Sequence, residues 1–178
     1  MKEITKDLIS QEYTDVIFKD LVALNINVKM CVFDSCKFNN CNFNAINLMG
    51  SSFVNCEFLN SKILGIDWSL LNQTMGFDNI FHHCDLSYSV FLNNDLRGLE
   101  IYDCKLKESS FEGCKMKRCI LKDCDFELAR FIRNDMRECD FTNSVNYLFD
   151  ISDNRCNKAK FNSPEVLNLL RARGLIVD

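Results

Sequence analysis

The residues with the most chemical potential in this chain are its 11 cysteines and its two histidines, His82 and His83. Sets of cysteines often mark zinc sites, which usually combine C-x2-4-C pairs with a second pair or with histidines. Two runs of three cysteines occur here, but the members of each run are five residues apart: Cys31, Cys36 and Cys41, and Cys114, Cys119 and Cys124. Because this spacing recurs along the chain, it indicates a structural repeat rather than a metal site.

Nearly all of the cysteines occupy one position of that repeat, two residues before a large apolar residue. Ten do so: Cys31, Cys36, Cys41, Cys56, Cys84, Cys104, Cys114, Cys119, Cys124 and Cys139. Serine or alanine fills the same position elsewhere, as at Ser51, Ser109 and Ala129. The position therefore requires a small side chain, and a free cysteine behaves as a small, readily buried apolar residue. We predict no catalytic, cofactor-binding or metal-binding residues and no enzymatic activity.

Large apolar residues recur every five positions through most of the chain. The series runs Phe33, Phe38, Phe43, Leu48, Phe53, Phe58, Ile63 and Trp68, and resumes with Phe81, Leu86, Phe91, Leu96, Ile101, Leu106, Phe111, Met116, Leu121, Phe126, Phe131, Met136 and Phe141. A period of five matches neither the 3.6 residues of a helix nor the 2.0 of a strand. It predicts a backbone that turns a corner every five residues and directs one large side chain inward from each side.

The breaks in this period predict the boundaries within a single domain of residues 1–178. Residues 1–17 lack the period and are expected to form an N-terminal cap, since terminal repeats are atypical. The repeats are expected over residues 18–161. Trp68 and Phe81 lie 13 residues apart, three more than two repeats, so residues 69–80 are expected to hold a loop.

The last part of the chain has the sequence of a short helix. Ser163 and Pro164 are typical of a helix start, and Gly174 is typical of a helix end. We therefore predict a C-terminal helix and tail over residues 163–178. Their apolar side chains must cover the end of the repeats or pair with a second copy, and the candidate dimerisation residues are Val166, Leu167, Leu170, Leu175 and Ile176.

Charge and hydropathy restrict the environment and the partners. The net charge is -4, and the sequence contains no apolar run of the length that a membrane span needs. No secretory signal is evident at the N-terminus, so a cytoplasmic protein is expected. Residues 1–104 contain 13 acidic and 7 basic residues, whereas residues 105–178 contain 12 acidic and 14 basic residues. This balance disfavours general nucleic-acid binding.

Residues 36–45 (CKFNNCNFNA) and 119–131 (CILKDCDFELARF) resemble the pentapeptide-repeat family. The resemblance implies an all-β fold, the right-handed quadrilateral β-helix with four pentapeptides in each coil. The break after Trp68 and the C-terminal helix are similar to features of the quinolone-resistance (Qnr) group and of immunity proteins against gyrase poisons. This likeness implies a homodimer joined at its C-terminal end. It also implies a DNA-like shape that binds DNA gyrase or topoisomerase IV and protects it from quinolones or toxins.

The candidate partner-binding residues lie in the loop and in one column of the coils. They are Asp67, Met75, Phe77, Asp78, Asp103 and Asp123, with the acids expected to replace phosphates. Residues 20 apart should stack in successive coils, which places Arg97, Lys117 and Arg137 in one basic column. Two alternatives to the topoisomerase partner remain at this point: a structural or scaffold protein that binds another protein through its flat faces, and polyanion binding through the basic column.

Overall fold

The described residues form 18 short strands, 15 of which are three residues long. The structure is a computed structural model that describes residues 2–176. Its strands are β1 (Lys2–Ile4), β2 (Leu8–Ile9), β3 (Glu12–Thr14), β4 (Ile17–Lys19), β5 (Leu21–Leu24), β6 (Val28–Lys29), β7 (Val32–Asp34), β8 (Lys37–Asn39), β9 (Asn42–Asn44), β10 (Ser52–Val54), β11 (Glu57–Leu59), β12 (Lys62–Leu64), β13 (Ile80–His82), β14 (Val90–Leu92), β15 (Glu100–Tyr102), β16 (Ser110–Glu112), β17 (Ile120–Lys122) and β18 (Arg130–Ile132).

The strands are short because the backbone turns a corner after each one. The corner residue has a positive φ, as in Asp15, Asp20 and Asn25 (φ 55°, 54° and 52°) and later in Asp103 and Asp123. Asn and Asp adopt this left-handed conformation more readily than most other residues. The acidic and amide residues of the repeat therefore have a structural role in turning the chain.

Every strand pair is parallel, and the register joins residues one coil apart. Phe38 pairs with Phe58, 20 residues later, and Phe91 pairs with Phe111. The strands form sheets of six (β17-β15-β13-β11-β8-β4), four (β1-β5-β9-β12), three (β10-β7-β3), three (β14-β16-β18) and two (β2-β6) strands. These sheets are the walls of a parallel β-solenoid, which confirms the predicted quadrilateral β-helix.

The core is one continuous cluster along the axis, made mainly of the residues with the five-residue period and the cysteines that precede them by two positions. Aromatic rings stack from coil to coil: Phe38, Phe58 and Phe81 are successive members of one column, with centroids 4.7 and 4.6 Å apart. Phe91, Phe111 and Phe131 form another, at 4.6 and 4.9 Å. Parallel offset rings at these distances are favourable, so the ladders stabilise the contact between neighbouring coils.

The N-terminal segment differs from the separate cap expected over residues 1–17. From Lys2 onward it already forms a coil, because β1 pairs with β5 and β3 pairs with β7. The inward residues are Ile4, Leu8 and Tyr13, which pack against the core. The period was missed because the step from Ile4 to Leu8 is four residues and the apolar residues are diverse. Met1 lies outside the described residues.

Residues 69–80 hold a compact insertion in the solenoid. Phe58 pairs directly with Phe81, 23 residues later, so three extra residues are accommodated without a break in the six-stranded sheet. Two 3₁₀ turns, Trp68–Leu70 and Gln73–Met75, replace strands in this coil. Leu71 and Phe77 are buried, so part of the segment packs inward rather than looping out.

The C-terminal helix α1 (Leu167–Arg171) is shorter than predicted and begins later. Ser163 is not its N-cap: Val166 takes that position without a side-chain hydrogen bond, and Ser163–Glu165 form turns before it. Gly174, with a φ of 76°, follows the helix as expected, and the amide of Leu175 donates to the carbonyl of Leu170. Val177 and Asp178, the end of the predicted tail, lie outside the described residues.

Candidate functional site

The cysteines form internal ladders of hydrogen bonds and are not available for surface chemistry. All ten that share the small-residue position are buried and free. The Cys56 thiol, for example, donates to the carbonyls of Phe33 and Val54, both at 3.4 Å. Burial raises the pKa of Cys56 and of Cys124 to about 12. Such thiols are poor nucleophiles because the thiolate is the reactive form.

Asparagine also occupies this buried position, which the sequence reading missed. Asn134 accepts a hydrogen bond from the Cys114 amide at 2.8 Å and donates to the Phe111 carbonyl at 2.9 Å. Asn79, Asn94 and Asn154 are buried at equivalent places. Their spacing, two residues before an apolar position, was the signal that identifies them. Within residues 2–176, no group of His, Cys, Asp and Glu is arranged to hold a metal ion.

The insertion presents two of its three predicted contact residues to solvent. Met75, at the end of the second 3₁₀ turn, is 50% exposed, and Asp78 is exposed. Phe77 is not a surface anchor: it is 4% exposed and its ring packs 5.4 Å from that of Trp68. Asp67 is half-buried and caps the first 3₁₀ turn, accepting from the Ser69 amide at 3.0 Å. Met75 and Asp78 are therefore the free groups of this segment.

The coil that follows the insertion is shaped around Asp78. A Cβ atom at Gly98 would lie 2.6 Å from the Asp78 carboxylate, which is a steric clash. The φ of Gly98 is 88°, a conformation that favours glycine, so a side chain at this position would also strain the backbone. Beside this contact is an open cavity of about 430 Å³, lined by residues that include Gln73, Asp95 and Arg97. The Asp95 amide donates to the Gln73 side chain at 2.9 Å, which ties the insertion to the next coil.

Asp103 and Asp123 lie in one corner column, as the 20-residue spacing predicted. His83 Nδ1 is 2.8 Å from Asp103 Oδ2, and the Asn143 amide group donates to Asp123 at 2.9 Å. Both carboxylates are exposed and line a groove of about 460 Å³, whose other wall includes Lys105 and Asp125. The column is therefore a polar ladder in which each acid has a neutral or titratable neighbour.

Three of the predicted acids flank the six-stranded sheet on opposite sides. Asp78 precedes β13 at the amino ends of the strands, whereas Asp103 and Asp123 directly follow β15 and β17 at the carboxyl ends. Between them the outer surface carries Tyr102, which stacks on His82 with ring centroids 4.7 Å apart. Burial and the neighbouring Glu100 raise the pKa of Tyr102 to about 12. This sheet, with Asp78 at the amino ends of its strands and Asp103 and Asp123 at the carboxyl ends, is the candidate partner-binding face.

The basic column is neutralised by the chain itself. Arg97 donates two hydrogen bonds to Asp95, at 2.8 and 2.7 Å, and Arg137 does the same to Asp135, at 2.6 and 2.5 Å. These hydrogen bonds hold the pKa of each carboxyl below its usual range. Lys117 lies 3.4 Å from Glu138. A column with its charges paired in this way offers little to a polyanion.

The predicted dimerisation residues divide between the core and the surface. Val166 and Leu167 are half-buried, and Leu169, which was not in the predicted set, is the buried residue of α1. Leu170, Leu175 and Ile176 are exposed. The helix thus packs on the last coil through Leu169 and leaves an apolar surface at the end of the solenoid.

No α-helix in residues 2–176 has the length and apolar character needed to cross a membrane. Residues 81–113 and 109–145 match the family model "Pentapeptide repeats". No curated protein sequence matches the chain.

Two of the similar solved structures are trypsin-treated variants of QnrB1, described as a plasmid-mediated fluoroquinolone resistance protein. One has a TM-score of 0.69 at 15% identity over 99% of this chain and 95% of that chain. The other has a TM-score of 0.63 at 15% identity and covers 100% of both. At this identity the likeness establishes the fold alone.

Proposed function

This chain is a pentapeptide-repeat protein, and from that premise we propose that it binds a type II topoisomerase, DNA gyrase or topoisomerase IV. It acts without catalysis, in the cytoplasm, occupying the DNA site of the enzyme and protecting it from quinolones or toxin poisons. Two rods of stacked coils, joined in a homodimer through Leu170, Leu175 and Ile176, provide the length needed to occupy the DNA site.

The observation that carries this proposal is the insertion. It adds three residues between paired Phe58 and Phe81 without disturbing the sheet, and it presents Met75 and Asp78 beside the six-stranded face. An insertion that leaves the core unchanged costs the fold little, and loops on a rigid scaffold are common sites of function. The shared fold with QnrB1 supports the choice of partner.

The surface charges indicate that the protein mimics the shape of a DNA duplex more than the spacing of its phosphates. Many surface acids are paired within the chain, as Asp95 is with Arg97 and Glu57 is with Lys37. Among the described residues, Asp78 makes no ion pair, so it is available to a cationic group of the enzyme. Electrostatic complementarity at such positions mainly sets specificity and association rate.

A gyrase supercoiling assay with and without ciprofloxacin tests the proposal. The protein is expected to inhibit supercoiling or to restore it in the presence of the drug. The double variant Met75→Asp, Asp78→Asn should lose this effect. Met49→Asp is the matched control, since Met49 is 53% exposed and lies outside the insertion. No inhibition and no rescue at tens of micromolar protein would rule the proposal out.

A scaffold function is the second candidate, and the internal pairing of the charge columns favours it. A protein whose surface charges are already satisfied is suited to bind another protein through flat, largely neutral faces. Such a protein would have no effect in the gyrase supercoiling assay, with or without the drug.

A further inference from the structure

The corner positions of the solenoid carry three side chains that do not suit their backbone. Most corners take Asn, Asp, Ser, Gly or a charged residue, but Met30, Tyr88 and Leu128 adopt positive φ values of 51°, 64° and 59°. A large apolar side chain in this left-handed region is unfavourable. Leu128 is also 72% exposed, so burial does not offset the strain. The fold therefore gives no reason for leucine at this corner.

Two of these three residues, Tyr88 and Leu128, lie along the same corner of the solenoid. Backbone hydrogen bonds from Tyr88 to Lys107 and from Glu108 to Glu127 stack their coils, which places Tyr88 and Leu128 in the same corner column, two coils apart. A groove of about 360 Å³ reaches from Leu128 back to Leu64, and a second, of about 550 Å³, extends to Leu148 and α1. Glu127 and Leu128 line both. We call this continuous surface the corner groove.

The spacing of the apolar groups matches an α-helix lying along the solenoid axis. Parallel strands are about 4.8 Å apart, so Tyr88 and Leu128 are separated by about 9.6 Å along the axis. A helix rises about 1.5 Å per residue, so three to four residues span about one coil and seven span about 10.5 Å. An extended strand repeats every about 6.7 Å on one face, which matches neither one coil nor two.

The charged residues beside the corner groove indicate which charges the bound helix should carry on either side of its apolar stripe. Lys107 is already paired with Asp125 and Glu127. Of the cations that line the two cavities in residues 2–176, Lys105 and Arg171 make no ion pair, and they lie toward opposite ends. Two acids that line the first cavity, Glu108 and Asp85, also make no ion pair among the described residues. Acidic residues of a bound helix would therefore meet the two free cations, and basic residues between them would meet Glu108 and Asp85.

We propose that the corner groove binds an amphipathic α-helix of a protein partner. Its apolar residues at i, i+7 and i+10 or i+11 contact Tyr88, Leu128 and Leu148, since Leu128 and Leu148 lie about 9.6 and 14.4 Å along the axis from Tyr88. Its acidic flanks face Lys105 and Arg171. An apolar stripe along one face is the usual means by which a helix is recognised in a groove. The proposal does not depend on the topoisomerase, because the corner groove does not include the insertion.

The test is selection of binders from a displayed peptide library. The peptides are about 18 residues long, or about 27 Å as a helix, and all positions except a few alanines are randomised. Selection on the wild-type protein should enrich an i, i+7, i+10/i+11 apolar pattern with acidic flanks. The selected peptides should bind Leu128→Asn at least tenfold more weakly, and Lys105→Glu, Arg171→Glu should reverse the preference for acidic flanks.

Met30→Asn is the matched control. Met30 is apolar, 62% exposed and left-handed like Leu128, but it does not line the corner groove. Both asparagine variants should fold at least as well as the wild type, because asparagine suits the corner, so lost binding cannot be ascribed to unfolding. Enriched peptides with an alternating strand pattern, peptides that bind Leu128→Asn unchanged, or no enrichment at all would each overturn the proposal.

Discussion

Replacing Phe111 with alanine tests the central physical premise of the fold, that stacked side chains join each coil to the next. Phe111 is fully buried, and its ring lies between those of Phe91 and Phe131 at centroid distances of 4.6 and 4.9 Å. Truncating a buried phenylalanine to alanine costs about 3–5 kcal/mol. We expect the upper part of this range, because two aromatic contacts worth about 0.5–1.5 kcal/mol each are lost together.

Such a loss is a large share of the roughly 5–15 kcal/mol that stabilises a typical domain. Phe111→Asp should prevent folding altogether, since an unpaired buried charge costs several kcal/mol more than the truncation. The assay is guanidinium unfolding followed by circular dichroism, with the free energy of unfolding extrapolated to water. Leu92→Ala, an exposed change on the same wall, is the control and should cost less than about 0.5 kcal/mol.

Leucine substitutions then separate stacking from simple burial. Changing Phe91 and Phe111 singly and together should give an interaction energy of about 0.5–1.5 kcal/mol. The same cycle on Phe91 and Phe131, which are two coils apart, should be additive because each coil contacts only its neighbours. A cost for Phe111→Ala below about 1 kcal/mol, or equal coupling in both cycles, would refute the reasoning.

Three further predictions concern other parts of the molecule. Burial opposes ionisation of Asp140, but hydrogen bonds from Thr142 and the nearby Lys122 lower its pKa from 3.8 to about 2. The carboxylate therefore stabilises the fold above about pH 4, and about 2 kcal/mol of this stability should be lost between about pH 4 and pH 2. Asp140→Asn should reduce this acid sensitivity, measured as the free energy of unfolding at each pH. The ten cysteines of the ladders should resist Ellman's reagent in the native protein and react on denaturation, and rapid native reaction of more than Cys156 would contradict the burial described. Leu170→Asp combined with Ile176→Asp should halve the mass measured by light scattering, whereas Met49→Asp should not, and an unchanged mass would refute the C-terminal dimer.

Much of the architecture could be predicted from spacing. The five-residue period located the core phenylalanines, the small-residue position explained the cysteines, and the 13-residue interval from Trp68 to Phe81 located the insertion. These inferences succeeded because a solenoid repeats one local environment, so the residue types at equivalent positions report on the same contacts. The first coil escaped notice because its inward residues are of diverse types and one of its steps is four residues long.

The surface was predicted less completely. The column of Asp103 and Asp123 followed from the 20-residue spacing, but the neutralisation of Arg97 by Asp95 did not, because it joins residues two apart whose side chains happen to bend toward each other. Phe77 had the composition of an exposed anchor, and the sequence could not show that its ring packs against Trp68. The exposed corner leucine, Leu128, carried no signal at all in the sequence, since apolar residues are common in every repeat.

The sequence by itself determined which residues face inward and how the coils stack, because a fixed period of five admits one placement of the large side chains. Tertiary structure alone decided which surface groups are free. Ion pairs, the inward packing of the insertion and the shape of the grooves depend on how side chains bend and meet, within one coil or between coils, and those contacts exist only in the folded solenoid.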